Sequence, residues 1–254
     1  MPKYNMLNDI YGGFMAEKLY TIPVNEVFEK QSECPVCLIY QTLEKNALEF
    51  TMGPSYMEDD IRAMTDKTGF CKCHSEKLLT MNNRLGMALM LKTHTDKLNK
   101  DMAKMSPKSQ NKGLFKKSGG SELSEYIKQV VNSCFICDRI NTVFDRYIAT
   151  IFHLYKNDSS FREKYMNSQG FCMEHYRLLL ENAENELSGK TKEEFIEATV
   201  KMFNDNMIRI NEELAWFINK FDYKYKDEPW KNSKDSVPRA ITKLNSIIIE
   251  EESK

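Results

Sequence analysis

Cys34-Pro35-Val36-Cys37 is followed, later in the chain, by Gly69-Phe70-Cys71-Lys72-Cys73-His74. The same pattern returns as Cys134-Phe135-Ile136-Cys137 and Gly170-Phe171-Cys172-Met173-Glu174-His175. Each copy reads Cys-x2-Cys and then Gly-Phe-Cys-x2-His. Between Cys37 and Cys71 lie 33 residues, and between Cys137 and Cys172 lie 34. Two related halves therefore make up the chain.

The residue types in this repeat point to zinc. Two cysteines of a Cys-x-x-Cys turn can span one edge of a zinc tetrahedron, and a Cys-x-x-His pair can span another from the first turn of a helix. Backbone N–H groups and the helix dipole favour the thiolate there. The sequence predicts two Zn²⁺ per chain, one in each half. The predicted metal ligands are Cys34, Cys37, Cys71 and His74 in the first half, and Cys134, Cys137, Cys172 and His175 in the second.

Four protein ligands leave no coordination position for water, so both sites are predicted to be structural, with no catalytic or cofactor-binding residue. An iron–sulfur cluster or another soft metal is one alternative. Disulfides and unliganded core cysteines are others, and so is a swapped arrangement in which the Cys-x-x-Cys of one copy meets the Cys-x-x-His of the other. Cys73, whose counterpart is Glu174, is predicted to be a small core residue outside the metal site.

Composition limits the class of protein. The 254 residues are 41% hydrophobic and 29% charged, with 10 Gly and 7 Pro, which indicates a globular helical protein rather than a strand-rich or disordered one. The net charge of −1 gives no global attraction to nucleic acid or to an anionic membrane. The sequence shows neither a signal peptide nor a membrane span. We therefore expect a cytoplasmic protein, in which seven cysteines need a role other than disulfides.

Helical periodicity dominates the rest of the chain and predicts an all-α fold. Ile140 to Tyr155 forms one apolar helical face, and a second helix is predicted from Cys71 towards Met102. A capping box at Thr191 and Glu194 precedes a heptad pattern that predicts a long C-terminal helix. The pattern consists of Ile196, Val200, Phe203, Met207, Ile210, Leu214, Phe217 and Phe221. The predicted domains are 1–105 and 122–254, joined by a Ser-, Gly- and Lys-rich linker at 106–121.

Three functions compete. The first is a zinc-stabilised interaction or scaffold protein, acting on a protein partner or as a homodimer. The second is an enzyme or small-ligand binder that uses a polar cluster in the first half, made of Glu58, Asp60, Arg62, Arg84 and His94. The third is a nucleic-acid or ribosome-associated protein, because Lys92 to Lys117 contains 8 Lys against two Asp.

Several motifs resemble an uncharacterised bacterial family, a domain of unknown function, over nearly the whole chain. They are Cys-Pro-x-Cys at Cys34, Tyr-Met-Glu-x-Asp-x-Arg at Tyr56, Gly-Phe-Cys-x-x-His at Gly69, Asn-Arg-Leu-Gly-x-Ala-Leu at Asn83, Phe221-Asp222-Tyr223 and Asp235-Ser236-Val237-Pro238-Arg239. Members of that family are often labelled automatically as substrate-binding proteins of ABC transporters. Such a label implies an exported protein with two α/β lobes, whereas this sequence has no parallel-strand pattern. The resemblance implies a shared fold and metal motif.

Overall fold

The computed structural model describes residues 13–105 and 119–249, and within them it contains eleven α-helices, two 3₁₀-helices and no strand. The all-α prediction is confirmed. The α-helices are Gly13–Glu29 (α1), Pro35–Met52 (α2), Asp59–Thr68 (α3), Lys72–Thr80 (α4), Arg84–Met105 (α5), Gly119–Val131 (α6), Phe135–Asn157 (α7), Ser159–Asn167 (α8), Met173–Glu186 (α9), Gly189–Asn219 (α10) and Ser236–Asn245 (α11). The 3₁₀-helices are Pro54–Met57 and Tyr223–Tyr225. In these two ranges no helix combines the length and apolar character needed to cross a membrane.

The chain forms two compact units. One, the split unit, combines Met1–Gln41 with Phe144–Lys254, and the other, the inserted unit, is Thr42–Val143. Both boundaries between the units fall inside helices, α2 and α7. This division differs from the predicted one at 106–121. Residues 106–118 of the predicted linker lie outside the described residues, and 119–121 begin α6.

An aromatic cluster forms the core of the split unit. The rings of Phe28 in α1 and Phe161 in α8 lie 5.0 Å apart at 67°, and those of Tyr155 in α7 and Phe195 in α10 lie 4.9 Å apart at 89°. Such edge-to-face contacts add to the free energy gained from burying the rings. The hydroxyl of Tyr165 is buried and hydrogen-bonds Thr199 Oγ1 at 2.7 Å, which satisfies its polar end. Phe152 and Tyr155, from the predicted apolar face of α7, pack into this core.

The long C-terminal helix is confirmed as α10, with 31 residues, but its start and its buried face differ from the prediction. It begins at Gly189, so Thr191 lies inside the helix and is not its cap. Its buried residues are Phe195, Thr199, Met202, Phe203 and Ile210, whereas Phe221 is 76% exposed. The buried face is displaced from the heptad pattern because Thr199 enters the core through its bond to Tyr165, which an apolar pattern cannot show.

The inserted unit contains a helix break that the sequence pattern missed. A single helix was predicted from Cys71 towards Met102, but the chain forms α4 and α5 with Met81–Asn83 between them. Asn83 causes the break, since its Oδ1 accepts from Gly86 N at 2.9 Å and its Nδ2 donates to Met52 O at 2.8 Å. Gly86 lies against Tyr56, whose ring would be 2.9 Å from an added Cβ. Because glycine has no Cβ, it allows this close approach of Tyr56 to the helix.

Candidate metal centres

The split unit contains one group of four metal-ligating side chains, here called the Cys34 site: Cys34, Cys37, Cys172 and His175. All four residues are buried. The Nδ1 atom of His175 lies 3.4 Å from Cys34 Sγ, 3.3 Å from Cys37 Sγ and 3.2 Å from Cys172 Sγ. The sulfurs of Cys37 and Cys172 are 3.6 Å apart. One nitrogen and three sulfurs thus converge on one point.

The inserted unit contains a second group, the Cys71 site: Cys71, His74, Cys134 and Cys137. Its geometry repeats that of the first. His74 Nδ1 lies 3.2, 3.4 and 3.3 Å from the sulfurs of Cys71, Cys134 and Cys137, and Cys71 Sγ is 3.9 Å from Cys137 Sγ. Cys71 and Cys137 are only half-buried, so this site is the more open of the two.

Each site joins the N-terminal ends of two helices. Cys34 directly precedes α2 and Cys172 caps α9, where its sulfur accepts from His175 N at 3.5 Å. Likewise, Cys71 caps α4 and Cys134 directly precedes α7. The helix dipoles and free N–H groups at these ends stabilise thiolates. The expectation that the Cys-x-x-His pairs lie in first helical turns is confirmed.

The donor atoms fit a single tetrahedral ion. With Zn–S near 2.3 Å and Zn–N near 2.0–2.1 Å, a regular tetrahedron separates two sulfurs by about 3.8 Å and a sulfur from a nitrogen by about 3.6 Å. The observed sulfur–sulfur distances of 3.6 and 3.9 Å match, and the sulfur–nitrogen distances of 3.2–3.4 Å are slightly short. A disulfide needs about 2.05 Å between its sulfurs, and all seven cysteines are free. Residues of both sites could therefore hold a metal ion.

The eight predicted ligands all belong to these sites, but the pairing within each repeat is wrong and the swapped arrangement is found. Cys34 and Cys37 meet Cys172 and His175, and Cys134 and Cys137 meet Cys71 and His74. The repeat spacing indicates which residues are candidate ligands, and it is equally compatible with either pairing of the motifs. The exchange also explains why the compact units do not follow the two sequence repeats.

Glu44 is a residue near the Cys71 site that sequence analysis missed. His74 Nε2 donates to Glu44 Oε1 at 3.1 Å, and Lys77 Nζ donates to Glu44 Oε2 at 2.5 Å. A carboxylate on the second ring nitrogen fixes the tautomer and orientation of a metal-binding histidine. The sequence gives one signal for Glu44, its position seven residues after Cys37 on the same helix. That position suggests the Cys34 site and not the Cys71 site.

Different residues surround the Cys34 site. Phe144, the counterpart of Glu44 in the second repeat, packs its ring 5.7 Å from that of His175. The Ser246 hydroxyl donates to Cys172 Sγ at 3.0 Å. Ser246 ends α11 with a left-handed φ of 61°, so this contact depends on the C-terminal segment, far from any motif. One site is thus supported by a charged network and the other by apolar packing and a hydroxyl.

Charge in the Cys71 site is distributed so that one thiolate faces one imidazolium. Burial disfavours charge on His74, but its hydrogen bonds to Cys134 and Glu44 outweigh burial and raise its pKa to about 10. Burial opposes ionisation of Cys134, yet hydrogen bonds from His74 and from the backbone of Cys137 lower its pKa to about 6. Burial and the negative charge of Cys134 raise the pKa of Cys137. Ionisation of a second cysteine in the Cys71 site therefore needs a further cation beside it.

The Cys34 site behaves in the same way. Burial opposes charge on His175, and hydrogen bonds to Cys172 and Cys34 outweigh it and raise the pKa to about 10. Hydrogen bonds from Cys34 and Cys37 hold the pKa of Cys172 well below its usual range. Conversely, the hydrogen bond to Cys172 and that to Cys34 raise the pKa of Cys37. Each cluster of sulfurs can ionise fully only around a metal cation.

Cys73 lies outside both groups, as predicted, but it is exposed rather than a core residue. It occupies the first turn of α4 between Cys71 and His74, where its side chain points away from the sulfur cluster. The helix periodicity explains this, because positions two residues apart face different sides.

The polar cluster predicted in the first half is not joined by side-chain bonds. Glu58, Asp60 and Arg84 are exposed, and no side-chain hydrogen bond or ion pair connects any two of the five residues, all of which the structure describes. His94 instead bonds the Asp66 carbonyl oxygen through Nδ1 at 2.7 Å, and its ring packs against Gly69. Its role is to pack α5 against the Gly-Phe-Cys turn.

The lysine-rich stretch lies partly outside the described residues, which stop at Met105 and resume at Gly119. Within α5 the lysines are largely paired: Lys92 with Asp96 at 2.6 Å, and Lys97 and Lys104 with Asp101 at 2.8 and 3.6 Å. These intrahelical pairs reduce the positive field that nucleic-acid binding would use.

Comparison with known proteins gives a family and no function. A family model described as "Family of unknown function (DUF6062)" matches residues 15–251. No curated protein matches the chain, and no solved structure does.

Proposed function

The chain belongs to this family of unknown function, DUF6062, and from its two metal centres we propose that it is a helical scaffold held together by two structural zinc ions. The observation that carries the proposal is that each histidine Nδ1 lies within 3.4 Å of all three sulfurs of its site. All four coordination positions of a tetrahedral ion are then taken by protein atoms. A closed site of this kind stabilises a fold and does not activate water.

Zinc is favoured over other metals by the donor set and by its spacing. Three thiolates and one imidazole are soft or borderline ligands, which suit zinc and not magnesium or calcium. All donor atoms of each site lie within 4.8 Å of one another. An iron–sulfur cluster places several irons and sulfides between its ligands and needs a wider spacing. A single ion therefore fits best.

The metals would act as clamps between distant parts of the chain. The Cys34 site joins residues 135 positions apart, and the Cys71 site joins residues 60 positions apart. By loop-closure entropy, closing the larger loop costs about 1 kcal/mol more than closing a loop within one repeat. Zinc binding to small domains contributes about 10–16 kcal/mol, which is comparable to the whole stability of a domain at about 5–15 kcal/mol.

The direct test is elemental analysis of protein purified anaerobically without added metal. We expect two zinc ions per chain. Removal of the metal under reducing conditions should lower the helical circular-dichroism signal and the cooperativity of melting together. One metal per chain, stoichiometric iron, or an apo protein with an unchanged Tm would contradict the proposal.

The scaffold part of the proposal requires a protein partner, and a second copy of the chain is the first candidate. Exposed apolar side chains in the C-terminal half of α10 and just after it support it: Ile208 is 59% exposed, Ile218 67% and Phe221 76%. Light scattering across a concentration series, on the wild type and on Ile218→Lys, tests it. Self-association that the variant weakens would support a homodimer, whereas a monomer throughout would contradict it.

Two further parts of the proposal concern location and the label from the family resemblance. Thiolate ligands need a reducing compartment, so we place the protein in the cytoplasm.

A substrate-binding protein of an ABC transporter needs two α/β lobes. Helices without strands make up the described part of the chain, which favours the scaffold over that label.

A further inference from the structure

A polar cavity of about 720 Å³ lies in the split unit beside the Cys34 site. Its walls come from the segment before α2, from α10, from the segment before α11 and from α11 itself. The volume is within the range of small-molecule sites. Neither metal site needs such a cavity, because their ligands are satisfied by one another.

A buried ion-pair network forms one wall. Glu33, whose side chain is 3% exposed, accepts from Arg209 at 2.6 Å, from Arg239 at 3.4 Å and from Lys243 at 3.3 Å. Glu213 pairs with both arginines, and Asp235 pairs with Arg239 at 2.8 Å. Three carboxylates thus balance three cations. The network is neutral and holds two guanidinium groups rigidly at the cavity surface.

Positive charge beyond this balance also lines the cavity. Lys234 is exposed and has no ion pair or hydrogen bond from its side chain to any residue that the structure describes. Lys231 has a left-handed φ of 53°, and its Nζ stacks 3.9 Å from the ring centroid of Trp216. Neither lysine has a carboxylate partner among the described residues. The lining then carries four cationic side chains, Arg209, Lys231, Lys234 and Arg239, against the carboxylates of Glu33, Glu213 and Asp235, an excess of one positive charge.

Two buried polar atoms of the lining lack hydrogen-bond partners. They are Ser32 Oγ and Arg239 Nε, both inaccessible at the atomic level and both without a partner in the described part of the chain. Buried polar groups are nearly always hydrogen-bonded, so such exceptions indicate a missing partner. A hydroxyl and a guanidinium N–H both donate to an anion.

We propose that this cavity binds a small organic anion with two negative charges, a phosphate monoester or a dicarboxylate. The rigid arginines orient its oxygens, Lys234 adds a long-range attraction, and Ser32 and Arg239 donate the hydrogen bonds they lack in the free protein. Cys34 belongs both to the lining of the cavity and to the neighbouring metal site, so the anion would bind beside the zinc proposed above and its binding is tested on the metal-loaded protein.

The test uses the full-length, metal-loaded protein and two probes that bear the same charge and chelate zinc weakly: glycerol 3-phosphate and succinate. Isothermal titration at fixed ionic strength should show saturable one-to-one binding. A response to glycerol 3-phosphate alone assigns a phosphate monoester, and one to succinate alone assigns a dicarboxylate. Binding of both probes would show that the site recognises the double negative charge and does not distinguish a phosphate from two carboxylates. Saturable binding of neither probe would overturn the proposal.

Two variants locate the site without disturbing the fold. Lys234→Gln should weaken binding about fivefold, because it removes a positive charge that attracts the anion, whereas Lys224→Gln, an exposed lysine outside the cavity, should leave it unchanged. Ser32→Ala should weaken binding while leaving the Tm of the ligand-free protein unchanged, since its hydroxyl has no partner there. Binding that both Lys234→Gln and Ser32→Ala leave intact would place the anion elsewhere and overturn the proposal.

Discussion

His175 Nδ1 lies 3.3 Å from Cys37 Sγ, although 138 positions separate the two residues along the chain. This contact joins the first Cys-x-x-Cys motif to the second Cys-x-x-His motif. Its consequence is that the split unit, whose two segments flank the inserted unit in sequence, contains a Cys3His group of its own that could hold a metal ion. The Cys71 site is the corresponding group of the inserted unit, so each compact unit contains one complete set of candidate ligands.

Cys73 should be dispensable for metal binding. Its side chain is exposed and belongs to neither group of ligands. Cys73→Ser should retain two metals per chain by elemental analysis, and Cys71→Ser in the same helical turn should retain one. Loss of a metal from Cys73→Ser with none lost from Cys71→Ser would reverse the ligand assignment.

Glu44 should strengthen metal binding at the Cys71 site without touching the ion. Its carboxylate accepts from His74 Nε2, and removal of such a partner weakens metal affinity about 10–100-fold. Competition with a chromophoric chelator should show Glu44→Gln losing one of its two metals more readily. The matched control is Glu49→Gln on the same helix, whose ion pair with Lys45 is exposed and long at 4.0 Å. Equal affinities in the two variants would show that Glu44 has no such role.

Metal binding should release protons, and the affinity should rise with pH. The metal-free protein holds His74 and His175 protonated, with pKa values near 10, and keeps the Cys37 and Cys137 thiols protonated because their pKa values are raised. A metal needs all four groups deprotonated. At pH 7 we expect at least four protons released per chain on loading two zinc ions.

Titration in buffers of different ionisation enthalpy measures this number. The metal affinity should rise with pH because the pKa values of the two histidines are raised. Bound protons compete with the metal at pH 7, and this competition weakens as the pH rises towards 10. An affinity that is constant over this interval would contradict the protonation states assigned to the clusters.

Gly69 should resist substitution for two separate reasons. Its φ is 59°, and a Cβ there would lie 2.6 Å from His94 Nε2. Gly189 has a similar φ of 55° but nothing within 4 Å of an added Cβ, so it controls for backbone strain alone. Strain costs about 1–3 kcal/mol in each case, and the clash should add about 1–3 kcal/mol for Gly69→Ala. Chemical denaturation measures both, and equal losses in the two variants would refute the packing role of His94.

The sequence was enough to identify the helical class and all eight residues of the two Cys3His groups, because these residues stand in short local motifs. It could not pair the motifs, since both copies have nearly the same spacing and either pairing satisfies zinc. Glu44 and Ser246 were missed for a related reason: they reach the sites through tertiary packing, from the middle of α2 and the end of α11. The apolar pattern of α10 likewise could not show that Thr199 and Arg209 face inward to meet Tyr165 and Glu33.

The exchanged pairing of the motifs is tested most directly by counting metals in two double variants. They differ only in which cysteine accompanies Cys37→Ser. Cys37 and Cys172 belong to one site in the structure, so Cys37→Ser with Cys172→Ser should leave one zinc per chain. Cys37 and Cys71 belong to different sites, so Cys37→Ser with Cys71→Ser should leave none. If each repeat instead bound its own metal, the first double variant would contain no zinc and the second would contain one. That reversed result would contradict the exchange of motifs on which this fold depends.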